Sequence, residues 1–268
     1  MVDTKPGNNS TYYVNHWNNI YGSSSPVGVQ EWHISYKDVN KALDPYIKAV
    51  CRRVNDVPLE IIDVGCGRSN IGMDILRDYE MTKLLLTDYS SAVVEDLRAR
   101  FEHDACVDVL EADCRQMSFR KSGSVPVLLD KGTLDALVGE TDQLDMLREC
   151  GRILHPCGIF ISISFPSVQR ITFFDKNCTE IGLDWRLKVV GKGDPSEGHK
   201  TIFVFFLGIK EALAAVDAPA ADELTQLCLS RIRKTGSLYI EENEFEAQSM
   251  QSLFACSSDS DVDFDGSG

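Results

Sequence analysis

Residues 61–67 read IIDVGCG, an apolar stretch that ends in two glycines separated by one residue. The apolar run over 59–64 is long enough for a strand that is buried on both faces of a parallel sheet. Gly65 and Gly67 then permit a sharp turn, and they let a ligand lie against the backbone where a side chain would collide with it. The stretch therefore predicts the first strand of an α/β sheet with a ligand-binding turn at its carboxyl end.

Two later carboxylates strengthen this prediction. A second apolar run, KLLLT at 83–87, places Asp88 at its carboxyl end, and a third run at 106–110 is soon followed by Asp113. The carboxyl ends of parallel strands face one crevice, so both acids are expected beside the glycine turn. Asp88 can accept both hydroxyls of a ribose. Asp113 can receive the amino group of an adenine.

The spacing of the glycines distinguishes between the classes of nucleotide ligand that could bind at the turn. The dinucleotide fingerprint G-x-G-x-x-G requires a third glycine where this chain has Asn70, and no G-x-x-x-x-G-K-[ST] motif occurs. A lone G-x-G is also compatible with a plain turn. Together with the two carboxylates, however, the pattern D-x-G-x-G is expected for a ligand that has a ribose and an adenine but no pyrophosphate, such as S-adenosylmethionine.

Strand-like and helical segments alternate over 59–177 in the manner of a doubly wound α/β fold. The predicted strands are 59–64, 83–88, 106–111, 124–130 and 158–164, and the predicted helices lie near 70–78, 90–102, 139–154 and 167–177. Two further runs at 185–190 and 201–208 flank the polar sequence GKGDPSEGHK and predict a hairpin. The expected fold is a Rossmann-like doubly wound sheet of seven strands with a C-terminal antiparallel hairpin, the topology of class I methyltransferases.

Length and composition suggest one domain with appendages. Of the 268 residues, 1–10 are expected to be disordered, 11–210 to form the domain, and 211–268 to form an acidic, largely disordered extension. From Glu211 onward the chain has twelve acidic residues against three basic ones, within a net charge of −14. This balance disfavours direct binding of nucleic acid and favours a basic protein partner.

Other composition features limit the location and the chemistry. No apolar stretch approaches the roughly 18 residues of a membrane-spanning helix, and the first residues resemble neither a secretory nor a mitochondrial signal. A cytoplasmic location is therefore expected. The nine cysteines form no C-x-x-C pair and do not combine with the five histidines in the spacing of a zinc site, so no metal site is expected.

The fourth predicted strand adds a candidate for the chemistry. Residues 127–137 read VLLDKGTLDAL, which places Asp130 at the carboxyl end of that strand, across the switch point from Gly65. Lys131 follows, and a cation there can pair with Asp113 or reach a carboxylate of the ligand. An ordinary turn before a helix is the alternative. The motif N/D-P-P-Y/F is absent, which disfavours adenine or glutamine as the methyl acceptor.

Several stretches resemble one known family, the eukaryotic seven-strand lysine methyltransferases that act on translation elongation factor 1-alpha, with the citrate synthase lysine methyltransferase as a close relative. The similarity lies in IIDVGCGRSN, LLLTDYSSAVV, LEADCRQMSF, LLDKGTLDAL and LRECGRILHPCGIFISIS, and in the aromatic elements NHWNNIY and QEWHISY. The resemblance implies that S-adenosylmethionine is contacted by Trp17, Tyr21, Trp32, Gly65, Asp88, Tyr89, Asp113, Cys114 and Lys131. Arg68 after G-C-G departs from the family pattern, and at the position of Asp63 some family members carry an apolar residue instead.

The resulting hypothesis is a monomeric S-adenosylmethionine-dependent enzyme that methylates a lysine of a protein, with translation elongation factor 1-alpha as the leading substrate. Asp130 is expected to orient the incoming amine, with Phe165 as an apolar wall. Two alternatives stay open. One is a small-molecule methyltransferase of the same fold, and the other is a scaffold that binds the cofactor without turnover.

Overall fold

The computed structural model describes residues 10–23, 29, 31–79, 81–192, 200–217, 225, 226, 228–230 and 232. The strands are β1 (Glu60–Val64), β2 (Lys83–Asp88), β3 (Val107–Glu111), β4 (Val125–Lys131), β5 (Leu154–Ser164), β6 (Asp184–Lys192) and β7 (Lys200–Gly208). The helices are α1 (Ser10–Ser23), α2 (Tyr36–Arg53), α3 (Ile71–Asp78), α4 (Ser91–Arg100), α5 (Thr133–Ala136), α6 (Glu140–Ile153), α7 (Val168–Asn177) and α8 (Lys210–Ala214). All of these elements lie in the compact unit Met1–Pro219.

The seven strands form one sheet in the order β3-β2-β1-β4-β5-β7-β6. Strands β1 to β5 are parallel, whereas β7 runs antiparallel between β5 and β6. The chain therefore moves outward in one direction from β1 to β3 and in the other from β4 onward. Such a reversal between β1 and β4 opens a crevice at the carboxyl ends of the strands. The predicted fold class and its terminal hairpin are confirmed.

The core of the sheet follows from the apolar runs in the sequence. Ile61 and Ile62 in β1 and the residues of β4 are buried, as expected for central strands covered on both faces by helices. Pro126 falls at the second residue of β4, where the pairing with β5 shifts its register between Val125 and Val127. A proline at a strand start with a local irregularity removes no regular ladder bond, so the strand tolerates it.

Two N-terminal helices differ from the expectation based on sequence. The aromatic segment before residue 24 forms helix α1, which the sequence pattern did not clearly predict. Helix α2 continues through Pro45, although an internal proline ordinarily interrupts a helix. Its apolar face compensates for the missing backbone donor, because Leu43 and Ile47 are fully buried and the Tyr46 ring stacks on Phe206 with the ring centroids 3.7 Å apart.

The sequence predicts disorder at both ends of the chain. The expected disorder of residues 1–9 and 233–268 lies outside the described residues, and helix α8 falls at the start of the expected extension. In the second unit, Ala220–Gly268, the described residues between 225 and 232 are helical.

None of the helices in the described ranges is both long enough and apolar enough to cross a membrane. Those ranges also contain no cluster of three or more His, Cys, Asp or Glu side chains suited to a metal ion.

Candidate functional site

A cavity of about 360 Å³ lies at the carboxyl ends of β1, β2 and β4, in the crevice that the strand order creates. This volume is within the usual range for small-molecule sites. The cavity brings together the ten residues predicted to bind a cofactor and also the predicted wall residue Phe165. These are Trp17, Tyr21, Trp32, Gly65, Gly67, Asp88, Tyr89, Asp113, Cys114, Lys131 and Phe165.

The glycine turn forms the floor of the cavity. Gly65 and Gly67 have φ angles of 64° and 53°, in the left-handed region that residues with a side chain rarely adopt. A Cβ on Gly65 would overlap the side chain of Thr133, and one on Gly67 would lie 2.6 Å from the Tyr21 hydroxyl. Both glycines are therefore required by backbone conformation and by close packing.

Asp88 closes the floor beside this turn. One of its carboxylate oxygens accepts the Gly67 N–H at 2.8 Å, and the other accepts the Ser90 N–H at 2.8 Å. Burial raises the pKa of Asp88, and the backbone N–H donors oppose that rise. A carboxylate has about four acceptor positions, so both oxygens retain capacity for the hydroxyls of a ribose.

Helix α1 supplies an aromatic wall. Tyr13, Trp17 and Tyr21 recur at intervals of four and line the cavity together with His16. The Tyr13 hydroxyl fixes the helix, because it donates to the Asp142 carboxylate at 2.9 Å and accepts the Val138 N–H at 2.6 Å. Burial raises the pKa of Tyr21 to about 12, so its phenol stays protonated beside Gly67.

Asp113 lies on the cavity wall in a strong ion pair. The Arg115 guanidinium donates from Nη2 to Asp113 Oδ2 at 2.7 Å and from Nε to Oδ1 at 3.0 Å. The same guanidinium donates from Nη1 to Asp142 at 2.7 Å. Next to this pair, burial raises the pKa of the Cys114 thiol well above its usual range, which makes Cys114 an apolar filler of the pocket. That Asp113 accepts a hydrogen bond from the amino group of an adenine stays a prediction.

Lys131 has a different partner from the one considered on sequence grounds. Its ammonium donates to Glu31 at 2.5 Å and to the Trp32 carbonyl at 2.9 Å, so the possible pair with Asp113 is not formed. Glu31 also accepts the Ser69 hydroxyl at 2.9 Å and the Asn70 N–H at 2.8 Å. Glu31 thus ties the segment after α1 to the glycine loop and to β4, across 100 residues of sequence.

Arg68, the departure from the family pattern, points away from the cavity. Its guanidinium pairs with Asp96 on α4, with Nε 2.9 Å from the carboxylate. It also donates to the Tyr21 carbonyl at 3.3 Å and lies 5.4 Å from the centroid of the Tyr21 ring. Arg68 therefore helps to hold α1 over the glycine turn and does not line the cavity.

Asp130, predicted to orient the amine, does not line the cavity, and its assigned role has to be corrected. The side chain is fully buried, and its carboxylate accepts the N–H groups of Thr133 and Leu134 and the Ser162 hydroxyl, at 2.8, 3.2 and 2.7 Å. Burial raises its pKa to about 6. Asp130 anchors the turn between β4 and α5, because the strand end directs its side chain toward β5.

Analysis of the sequence missed two residues that line the cavity near Phe165, namely His33 and Asp135. His33 Nε2 lies 3.1 Å from Asp135 Oδ2, and the His33 ring centroid is 4.0 Å from that of Phe165. A signal was present, since His33 follows Trp32 directly and Asp135 lies within the family-like stretch DKGTLDA. Position at a strand end points only to Asp130, the first acid of that stretch.

The residues present fit S-adenosylmethionine. The glycine turn leaves room for close approach, Asp88 offers acceptors for a ribose, and the rings of Trp17 and Tyr21 provide apolar surface. Trp32 and Phe165, which also line the cavity, are 41% and 56% exposed, so the cavity wall reaches the protein surface. A nucleoside at the floor and an acceptor that enters beside Phe165 can meet within this one cavity.

Comparisons with known proteins agree with this geometry. Residues 61–158 match the family model described as "Methyltransferase domain". EEF1A lysine methyltransferase 4 of Bos taurus is 28% identical over 212 residues, which are 74% of this chain and 78% of that protein. The mitochondrial citrate synthase-lysine N-methyltransferase CSKMT of Danio rerio is 30% identical over 166 residues, or 55% of this chain and 65% of that protein.

A solved structure gives the same result for the fold. The crystal structure of magnesium protoporphyrin IX methyltransferase (ChlM) from Synechocystis PCC 6803 with bound SAM superposes with a TM-score of 0.51 at 14% identity. The superposition covers 76% of this chain and all of that one. At this identity the likeness concerns the architecture of the sheet and its helices.

Proposed function

We propose that the chain is a class I S-adenosylmethionine-dependent protein-lysine methyltransferase and that its substrate is translation elongation factor 1-alpha, methylated on a lysine side chain. The observation that carries this proposal is the exposed apolar rim of the cavity. Trp32 and Phe165 are both exposed and line the cavity, and the exposed Tyr12 and Val138 directly adjoin lining residues. Exposed apolar side chains around the mouth of a cavity suit a protein substrate.

The rim also suits the shape of a lysine side chain. A lysine has an aliphatic stem of four carbons and a charged end, so an apolar entry that leads to polar groups matches it. Phe165 and Trp32 supply exposed apolar surface at the cavity, and the carboxylate of Asp135 lies next to Phe165, whose N–H it accepts at 2.9 Å. A large folded substrate can insert one side chain here, while the rest of its surface remains on the rim.

The enzyme's own residues contribute binding and alignment. S-adenosylmethionine supplies a methyl group on a positively charged sulfur. The glycine turn and Asp88 fix the nucleoside, and the α1 wall excludes water from it. Transfer is an in-line displacement, so alignment of the amine with the methyl group is the main requirement. A free lysine has a pKa near 10.4, and only roughly one in a few thousand is neutral at pH 7, so the site must also favour the neutral amine.

We extend the proposal to the partner and the location. The net charge of −14 favours association with a basic protein over nucleic acid or membrane. We propose that the enzyme acts as a monomer in the cytoplasm, where translation takes place. Light scattering after size-exclusion chromatography tests whether the protein is a monomer. Imaging of the tagged chain in cells tests whether it is located in the cytoplasm.

The function is tested by methylation of purified translation elongation factor 1-alpha with tritiated S-adenosylmethionine. We expect label in the factor, and we expect mass spectrometry to place added methyl groups on a lysine. The matched control is the same factor with its lysines blocked by acetylation, which is expected to take up no label. Label in another protein of a cell extract would refute this substrate but not the reaction. Label only in small molecules, or binding without label, would refute lysine methylation.

A further inference from the structure

His33 has an unusual position at the wall of the cavity. Its φ of 64° makes it the one non-glycine residue in the described ranges with a left-handed backbone. Its side chain is only 5% exposed although its neighbour Trp32 faces solvent. The left-handed turn directs the imidazole inward, where it packs against Gly132 and under the ring of Phe165.

Asp135 holds this imidazole by one nitrogen. Its Oδ2 lies 3.1 Å from His33 Nε2, and its carboxylate also accepts the Ser164 hydroxyl at 2.6 Å and the Arg170 guanidinium at 2.8 Å. Burial alone would raise the pKa of Asp135, but the donors, first of them His33, lower it to about 2. Because Asp135 remains ionised and only accepts, the nitrogen that faces it is the one that carries the hydrogen.

The other imidazole nitrogen, Nδ1, is buried and has no hydrogen-bond partner among the described residues. A buried polar atom without a partner is costly, and most such atoms in folded proteins are paired. With Nε2 protonated toward Asp135, Nδ1 carries a lone pair and acts as an acceptor. The ring lines the cavity beside the exposed Phe165, where the proposed substrate enters.

We propose that His33 is the catalytic base that takes the proton from the substrate lysine, with Asp135 as the residue that positions it. The inference rests on the proposed function. In the step, the N–H bond of the lysine ammonium breaks and a new N–H bond forms at His33 Nδ1. The freed electron pair of the amine then forms the bond to the methyl carbon, and the electron pair of the breaking C–S bond stays on sulfur. Asp135 stabilises the resulting imidazolium.

The surrounding charges are compatible with this role. Arg170 pairs with Asp135 from α7, and Lys131 of β4 donates to Glu31 and to the Trp32 carbonyl beside the imidazole. Lys131 is therefore neutralised by Glu31, and Arg170 by Asp135. Nδ1 lies beside Gly132 and the ring packs against Phe165, so a substrate amine reaches Nδ1 only when an entering side chain displaces this packing.

The kinetic test compares His33→Gln with the wild-type enzyme in single turnovers at saturating cofactor and substrate. Glutamine retains a donor for Asp135 but cannot accept a proton. We expect the rate at pH 7 to fall by about a hundredfold, and the defect to shrink toward pH 10, where the lysine is neutral without help. His103→Gln, a change at an exposed histidine outside the cavity, is the matched control and is expected to retain the wild-type profile.

A second readout does not depend on turnover. Nitrogen NMR of the imidazoles, assigned by the loss of one signal in His33→Gln, reports which nitrogen of neutral His33 carries hydrogen. We expect hydrogen on Nε2 and a bare Nδ1 in the wild type, and a mixture of tautomers in Asp135→Asn. Calorimetry with S-adenosylhomocysteine is expected to give equal affinity for the wild type and His33→Gln. A lower rate of the variant then cannot be attributed to weaker binding of the cofactor.

The possible outcomes separate the two proposals. If the wild type methylates lysine and His33→Gln has a parallel pH profile at nearly the same rate, the base assignment is overturned while the function stands. Hydrogen on Nδ1 of neutral His33 would also overturn it. If the wild type binds the cofactor but transfers no methyl group to a protein lysine, the proposed function fails, and the base assignment fails with it.

Discussion

Asp63 in β1 is a buried carboxyl group whose Oδ2 has no hydrogen-bond partner in the described part of the chain. We predict that Asp63→Asn stabilises the protein near neutral pH. Burial raises the pKa of Asp63 from 3.8 to about 8, and the opposing attraction of Lys131 is too weak to cancel the rise. Between these two pH values the folded protein therefore holds a proton that the unfolded chain has released.

The sign and size of the effect follow from proton linkage. One extra proton in the folded state makes the free energy of unfolding fall by about 1.4 kcal/mol per pH unit as the pH rises from about 4 to about 8. Asparagine has the same shape and does not titrate. The stability of Asp63→Asn minus that of the wild type should therefore grow by about 2–3 kcal/mol between pH 5 and pH 7.

The measurement is urea unfolding of both proteins at pH 5, 6 and 7, with equal m-values as the condition for comparison. Asp108→Asn is the matched control, because Asp108 is an exposed carboxylate on β3. Its stability difference from the wild type should stay flat over this range. A flat difference for Asp63→Asn as well would show that Asp63 is ionised in the folded protein, and the argument from burial would be wrong.

Three further changes test the site. Asp88→Asn should raise the Kd for S-adenosylhomocysteine about tenfold in calorimetry, because an amide nitrogen cannot accept a ribose hydroxyl, whereas Asp108→Asn should leave it unchanged. Gly65→Ala should lower the stability to urea by about 1–3 kcal/mol, because of its φ of 64° and its overlap with Thr133. Adding Thr133→Ala should restore part of that loss, and no recovery would contradict the overlap. Asp130→Ala should cost about 3 kcal/mol in urea unfolding with little change in cofactor affinity, because it leaves two N–H groups and a hydroxyl unpaired. A selective loss of cofactor affinity would instead return Asp130 to the cavity wall.

The sheet could be predicted from the sequence, because each strand and turn is determined by residues that are close together in the chain. Buried parallel strands are continuous apolar runs, and the turn after β1 needs glycines whatever else the chain contains. The carboxyl ends of β1 and β2 face the same crevice in any doubly wound sheet, so the order of strands along the chain was enough to bring Gly65 and Asp88 together.

The polar groups near the substrate end could not be assigned in this way. Asp130 and Asp135 lie close together in one stretch, and position at a strand end does not determine toward which neighbour a side chain turns. Ser162 on β5 holds the first acid inside the sheet, while His33, 102 residues away, holds the second at the cavity. Such pairings depend on the packing of elements that are distant in sequence. The Glu31–Lys131 pair is a further example.

Helix α1 lies against the cavity with the rings of Tyr13, Trp17 and Tyr21, so part of its inner face is covered by whatever occupies that cavity. The hydroxyl contacts of Tyr13 with Val138 and Asp142 hold this helix in place, so any movement of α1 away from the cavity has to break them. If the spent cofactor leaves on the side of α1, its residence time depends on how often these hydroxyl contacts break.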